Sequence, residues 1–407
     1  MAINILLLIV LIAASGAMLL PAVTGAHGWR ATVTPLASII GSGFLVAAPI
    51  LSHAIGDFAA IGMAALCAAG WLFGSAIRHN IAHVERVLEN RKQIVFRRLD
   101  QVSALVLAFA YWVSVAYYLN LFAAFAMRGF GIIDQFWIHV VTTGVLAALA
   151  ILGVTRGLKW LEDVEVAAVG LKLGVIAALI IGLTMSLFFG WGGTPPDIAP
   201  HDLPPAGDQA RILLGLVILV QGFETSRYLG SAYTPETRIR TMRYAQIIAT
   251  VIYVAFIGLA TPWFAGPLPP IGGETAVIDL LRPMAFVVAP MLIVVALASQ
   301  LSAAVADMNG SSGLVEDISG KRIPMRFGYA ITAMAAIGLT WGANIYQIIV
   351  YASKAFAVYY FVQCVTAVIS ALRAERPQFA RAALFASGAI LALVVVVLGM
   401  PAEGGDT

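Results

Sequence analysis

Twelve apolar runs of bilayer-spanning length follow one another along the chain. They fall at about 3–22, 33–53, 56–77, 101–127, 132–153, 164–190, 212–232, 243–264, 284–307, 328–343, 345–370 and 382–399. The runs are continuous rather than alternating, which predicts helices and not barrel strands. No loop exceeds about 25 residues, so no soluble catalytic or output domain is expected. The first run starts Met1-Ala2-Ile3-Asn4, without Lys or Arg. That predicts a retained helix rather than a signal peptide, whose leading segment is basic.

Composition narrows the class. The 407 residues are 61% hydrophobic and only 11% charged, and mean hydropathy is +0.92. A soluble domain keeps about a quarter of its residues charged. Soluble enzymes, nucleic-acid binders and disordered scaffolds are therefore excluded, and a net charge of +3 is too small to imply an anionic polymer partner. Cys67 and Cys364 sit inside apolar runs, so no disulfide framework or zinc site is indicated. No phosphate loop, nucleophile triad or metal-ligand spacing appears, so neither an enzyme nor a cofactor is expected.

Charge distribution predicts the orientation. The 78–98 loop carries six basic residues, and every second loop after it is basic: Arg156 and Lys159; Arg238, Arg240 and Arg243; Lys321, Arg322 and Arg326; Arg373, Arg376 and Arg381. With Arg30 that places 18 of the 24 basic residues on one side, which the positive-inside rule makes cytoplasmic. An even number of spans then puts both termini outside a cell membrane. The alternate loops hold only Arg128, Arg211 and Arg282, and the last three, Lys172, Arg227 and Lys354, all lie within apolar runs. A charge at that depth costs several kcal/mol unless paired or hydrated, so each is a functional candidate.

Two runs are interrupted by glycine: Ile40-Gly41-Ser42-Gly43 in the second and Gln221-Gly222-Phe223-Glu224 in the seventh. Glycine admits the dihedrals needed to leave a helix. Unwinding at mid-bilayer frees peptide groups that must line a cavity or coordinate something, and the half-helix start attracts an anion. Paired breaks in matching places of two halves point to a transporter site. Close helix packing is the alternative reading of Gly41 and Gly43. Gly41 lies in the first helix of a block at 31–190 and Gly222 in the first helix of a block at 208–372. The blocks enter from opposite sides, with an extra helix at 1–30 and a last helix and tail at 380–407.

The stretch from Ile39 to Gly56 resembles the first core helix of amino acid–polyamine–organocation (APC) permeases. Gly222-Phe223-Glu224 resembles the Gly-Phe-Glu of their sixth core helix, and Ser302 to Pro324 is less closely similar to their eighth helix and its loop. The resemblance implies an all-α polytopic fold of about 12 spans, a LeuT-like five-plus-five inverted repeat with two discontinuous helices. It further implies a secondary active transporter of an amino acid or related amine.

Carried over residue by residue, the resemblance implies that Ile40, Gly41, Ser42 and Gly43 hold substrate through their backbone, with Gly222 and Phe223 closing from the other break. Phe223 is then an aromatic gate or ordinary packing. Tyr111 and Tyr118, seven apart on one helix, face the pocket or pack. Glu224 and Arg227, three apart, form an ion pair, or Glu224 joins the gate or a proton path. In proton-coupled relatives a lysine on the fifth core helix contacts carbonyls of the first. Lys172 matches it, and a lysine at membrane depth can bind and release a proton near neutral pH. Lys172 is thus the expected coupling residue, with H+ as the coupling ion. Ser299 and Ser302, three apart, are the candidates for a less favoured Na+ site. Lys354 either pairs with Asp307 or Glu224, or attracts an acidic substrate group. A cation carrier on the same fold is the rival reading, but it should lack deep lysines. A channel or sensor would need a pore filter or an output domain. Expected partners are a small-molecule substrate and the bilayer, with no nucleic acid.

Overall fold

A computed structural model describes residues 2–41, 43–88, 93–158, 162–195, 202–230, 232–264 and 273–402. Every regular element among them is helical. Thirteen longer helices occur in chain order: α1 (Ala2–Leu19), α2 (His27–Ile39), α3 (Gly43–Ile55), α4 (Ala59–His79), α5 (Ile94–Gly129), α6 (Gln135–Arg156), α7 (Glu162–Phe189), α8 (Ala206–Gly215), α9 (Pro235–Ala260), α10 (Val288–Ile318), α11 (Met325–Gly342), α12 (Ile345–Leu372) and α13 (Phe379–Leu398).

Local chemistry starts several of them. The Asp134 carboxylate accepts from the Phe136 amide at 2.8 Å at the head of α6, and Pro235 occupies the first position of α9 behind Thr234. Asn344 and Gln347 form a reciprocal capping box at the start of α12.

Nine stretches among the described residues are long and apolar enough to cross a bilayer. One of them, His27–Leu88, holds two crossings, divided by the 3-10 turn Gly56–Phe58, where Gly56 has φ 57°. The interrupted 206–229 segment and the 18-residue α11 bring the total to the twelve crossings the sequence predicts. The protein is a multi-pass membrane protein.

Helix α5 sits at the centre, packed on α10 and α12; α9 packs on α2 and α4, α6 on α11, and α13 on α12. The extra helix α1 lies along α7. A Cβ on Gly174 of α7 would meet the Leu11 carbonyl oxygen at 3.0 Å, so only glycine lets this seam close.

Candidate functional site

The second crossing breaks where the glycines predict. Helix α2 ends at Ile39, Ile40 leaves helical geometry with ψ 14°, and α3 begins at Gly43. Ser42 lies outside the described residues. A helix end strands its last carbonyls, and five of the six from Leu36 to Gly41 have an identifiable partner among the described residues. The Leu36 and Ser38 oxygens accept from the amides of Ile40 and Gly41, at 3.0 and 3.1 Å. The other three carbonyls are reached by side chains from three different helices. Lys172 Nζ on α7 donates to Ala37 O at 3.0 Å, the Tyr253 hydroxyl on α9 lies 2.9 Å from Ile39 O, and Ser299 Oγ on α10 donates to Gly41 O at 2.7 Å. The negative end of the α2 dipole favours a cation there, and Lys172 supplies one while only 3% exposed.

This changes one sequence expectation. The amides of Ile40 and Gly41 are already used by α2, so they are not free to hold a carboxylate. Unused amides of a helix fall in its first turn, which here begins at Gly43. Lys172 and Ser299 approach carbonyls of the break, those of Ala37 and Gly41. The Ser302 hydroxyl is buried and finds no partner among the described residues.

The seventh crossing is interrupted over a longer stretch. Helix α8 stops at Gly215, a 3-10 turn covers Val217–Val220, Gln221 is extended, Gly222 has φ 115°, and 3-10 geometry resumes over Phe223–Leu229. Ser353 on α12 spans the first part of the gap. Its hydroxyl donates to Gly215 O at 2.6 Å and accepts from the Ile218 amide at 3.0 Å. Glu224 Oε2 accepts from the Gly222 amide at 2.9 Å and from the Tyr360 hydroxyl at 3.0 Å. Its Oε1 is buried without a partner among the described residues.

The two breaks touch. A Cβ on Gly43 would meet Leu219 Cα at 2.8 Å, and one on Gly222 would meet Ile39 N at 2.7 Å. The Tyr253 hydroxyl also lies 2.8 Å from Leu219 O, so one side chain reaches a freed carbonyl on each broken segment.

Phe223 is fully buried and stacks on Tyr360 at 5.3 Å, with Phe73 stacked on the same ring at 4.8 Å. Tyr118 reaches the second break, its hydroxyl accepting from Gln221 Nε2. Tyr111 packs edge-on to Phe356 at 5.9 Å, close over Gly310. Between the two tyrosines Ser114 donates to buried Asp307, tying α5 to α10. Ile40, Tyr118, Phe223 and Glu224 are all at most 1% exposed, so this conformation is closed to solvent.

Two charge pairings differ from expectation. Arg227 does not meet Glu224. Glu224 turns back to the Gly222 amide and the Tyr360 hydroxyl, and Arg227 Nη2 donates instead to Asp100 at 2.6 Å. Arg238 completes a network there, donating to Arg227 O at 2.7 Å and to Glu85 at 2.6 Å. Lys354 pairs with neither Asp307 nor Glu224; no carboxylate lies within ion-pair distance of it among the described residues. On the opposite side of the molecule Arg128 pairs with Asp279.

Sequence reasoning missed Tyr253, Ser353 and Tyr360. Each sits in an apolar run with nothing local to mark it, and only the fold brings it to a break.

A family model described as APC superfamily transporter matches residues 21–399, beginning just after α1. A protein of Aquifex aeolicus (strain VF5), named only as an uncharacterized protein, is 41% identical over 358 residues, covering 86% of each chain. The chain belongs to the APC superfamily of transporters.

Proposed function

We propose that this transporter moves an amino acid or a related amine by alternating access, coupled to protons through Lys172. One observation carries the reading: Lys172 Nζ donates to Ala37 O on the broken crossing. Removing a proton from that ammonium removes the cation facing the α2 dipole and weakens a charge-assisted bond. Protonation of Lys172 therefore biases the geometry of the first break. Substrate sits where the two broken crossings meet, its carboxylate toward the first turn of α3 and its amine toward carbonyls of the breaks. Glu224, bonded to the Gly222 amide, and Phe223, stacked on Tyr360, close the site from the second break.

In this reading residues 31–190 and 208–372 are inverted five-helix repeats that rock around the breaks. The Arg30, Arg238 and Lys321 side is cytoplasmic and both termini are outside a cell membrane. Arg227–Asp100 and Arg238–Glu85 then bar the cytoplasmic exit, and Arg128–Asp279 lies on the outer side.

A second reading, sodium coupling, rests on Ser299 Oγ at 2.7 Å from Gly41 O, a hydroxyl and a carbonyl of the kind that bind Na+. It ranks below the first because the Lys172 ammonium occupies the same end of α2 and would repel a second cation.

A panel of radiolabelled amino acids and amines, offered to purified protein in liposomes under an imposed pH or sodium gradient, tests both readings. Accumulation of an amino acid or amine under the pH gradient alone is expected. Accumulation that requires sodium favours the second reading, and no uptake of any member refutes the substrate class.

A further inference from the structure

A cavity of about 740 Å³ lies away from the two breaks, between α5, α10, α11 and α12. Its walls are hydrocarbon, and large apolar side chains at its margin face outward, Leu105 being 58% and Phe109 53% exposed. In a chain that spans a membrane, such a margin faces lipid acyl chains. The volume falls inside the range of about 300–1,000 Å³ typical of small-molecule sites.

The polar groups in its wall do not match a zwitterion. Ser319 is already used, its hydroxyl donating to Glu316 O at 2.9 Å and accepting from the Ile323 amide at 3.0 Å. Lys354 lines the cavity without a carboxylate partner among the described residues. Trp112 lines it too, and its indole N–H has no acceptor there. Lys354 and Trp112 only donate, and the Tyr351 hydroxyl, on a residue 46% exposed, is the further group in the wall that can accept. An amino acid's ammonium would find that neutral hydroxyl at best and would face the Lys354 cation, which repels it. A molecule with one anionic group and an otherwise hydrocarbon body meets every feature: the tail replaces lipid along the apolar wall, and the head neutralises Lys354.

We propose that this crevice binds a long-chain carboxylate drawn from the bilayer, its head on Lys354 beside Trp112 and its chain lying along α5. The site is separate from the proposed transport path and does not depend on which substrate is carried. A free fatty acid fits better than a phospholipid, because Lys354 is the tenth residue of α12, about 14 Å along the helix from its first residue. A glycerophosphate head does not descend to that depth, whereas a single carboxylate can be drawn there by a cation.

The test is photolabelling of full-length protein in lipid nanodiscs with a sixteen-carbon fatty acid carrying a mid-chain diazirine, followed by peptide mapping. The wild type is expected to be labelled on α5 or α12 at the crevice. Lys354→Met is expected to reduce that labelling about tenfold, the scale of a lost charge-assisted bond, while Lys354→Arg retains it. The alcohol with the same chain and diazirine is expected to label as weakly as the Lys354→Met variant does with the acid. Equal thermal midpoints for wild type and Lys354→Met make the loss a binding effect. If Lys354→Met lowers the midpoint, the alcohol and Lys354→Arg arms on folded protein decide. No label in the crevice, equal labelling by acid and alcohol, or labelling indifferent to Lys354 overturns the proposal. Labelling by a lysophosphatidate probe that matches the acid and shares its Lys354 dependence also overturns it, in favour of a phosphate headgroup.

Discussion

Lys172 holds the carbonyl oxygen of Ala37 at 3.0 Å, although the two residues are 135 positions apart in sequence. The contact joins α7 to the end of α2 and leaves a cation where the helix dipole is negative. Ser299 and Tyr253 satisfy the neighbouring carbonyls of Gly41 and Ile39, so the first break is held by three separate helices. Any motion of α7, α9 or α10 therefore alters the break itself.

Tyr253→Phe removes the hydroxyl that lies between Ile39 O and Leu219 O. An unsatisfied buried acceptor costs about 1–3 kcal/mol. A thermal midpoint several degrees lower, with unchanged helix content by circular dichroism, is the expected outcome. An unchanged midpoint would mean the hydroxyl does not hold the two breaks together.

Gly222→Ala strains a backbone at φ 115° and drives a Cβ into Ser38 and Ile39 on the other broken crossing. The combined cost is about 3 kcal/mol or more. Gly313→Ala, within α10 and with nothing within 4 Å of the new Cβ, is the matched control. It should be neutral or stabilising by up to about 1 kcal/mol. A lowered midpoint in Gly222→Ala and an unchanged or raised one in Gly313→Ala are expected, together with loss of uptake only in Gly222→Ala.

Glu224→Gln keeps the shape of the side chain and one acceptor oxygen for the Gly222 amide and the Tyr360 hydroxyl, but removes the charge. Stability close to wild type with uptake reduced about tenfold is expected for a group that joins the gate. Glu224→Ala strands both donors and should also lower the midpoint. Wild-type uptake in Glu224→Gln would reduce Glu224 to a structural acceptor.

Gly174→Leu tests the role of the first helix. The added side chain collides with Leu11 and Ser15 of α1 two residues past Lys172. Overpacking of this kind costs about 1–3 kcal/mol. A lower midpoint and weaker proton-driven uptake are expected, and Gly174→Ala should fall between the two. Unchanged uptake in Gly174→Leu would show that α1 does not position the Lys172 helix.

Much of the fold was legible because bilayer physics leaves few choices. Continuous apolar runs must be helices, and the twelve crossings appear where those runs fall. The breaks were legible too, since Gly41 and Gly222 interrupt otherwise apolar helices. Lys172 was found by its depth and by resemblance to a family pattern. Tyr253, Ser353 and Tyr360 were not found, because a tyrosine or serine in an apolar run carries no local sign of its partner. The Glu224–Arg227 ion pair, one of two readings of that spacing, does not form, because Asp100 takes Arg227 while the Gly222 amide and the Tyr360 hydroxyl take Glu224. Of the two readings of Lys354, a carboxylate partner or an acidic substrate group, the first is absent among the described residues, and the lysine's place on a lipid-facing crevice is visible only in three dimensions.

The most direct measurement compares wild type with Lys172→Ala in liposomes, using an accepted substrate under an imposed pH gradient and then in gradient-free exchange. Lys172→Ala is expected to lose concentrative, pH-driven uptake by at least about tenfold while retaining substrate exchange, which shows the protein is folded even though losing the bond to Ala37 O lowers its thermal midpoint. Full pH-driven accumulation by Lys172→Ala would contradict coupling through this residue.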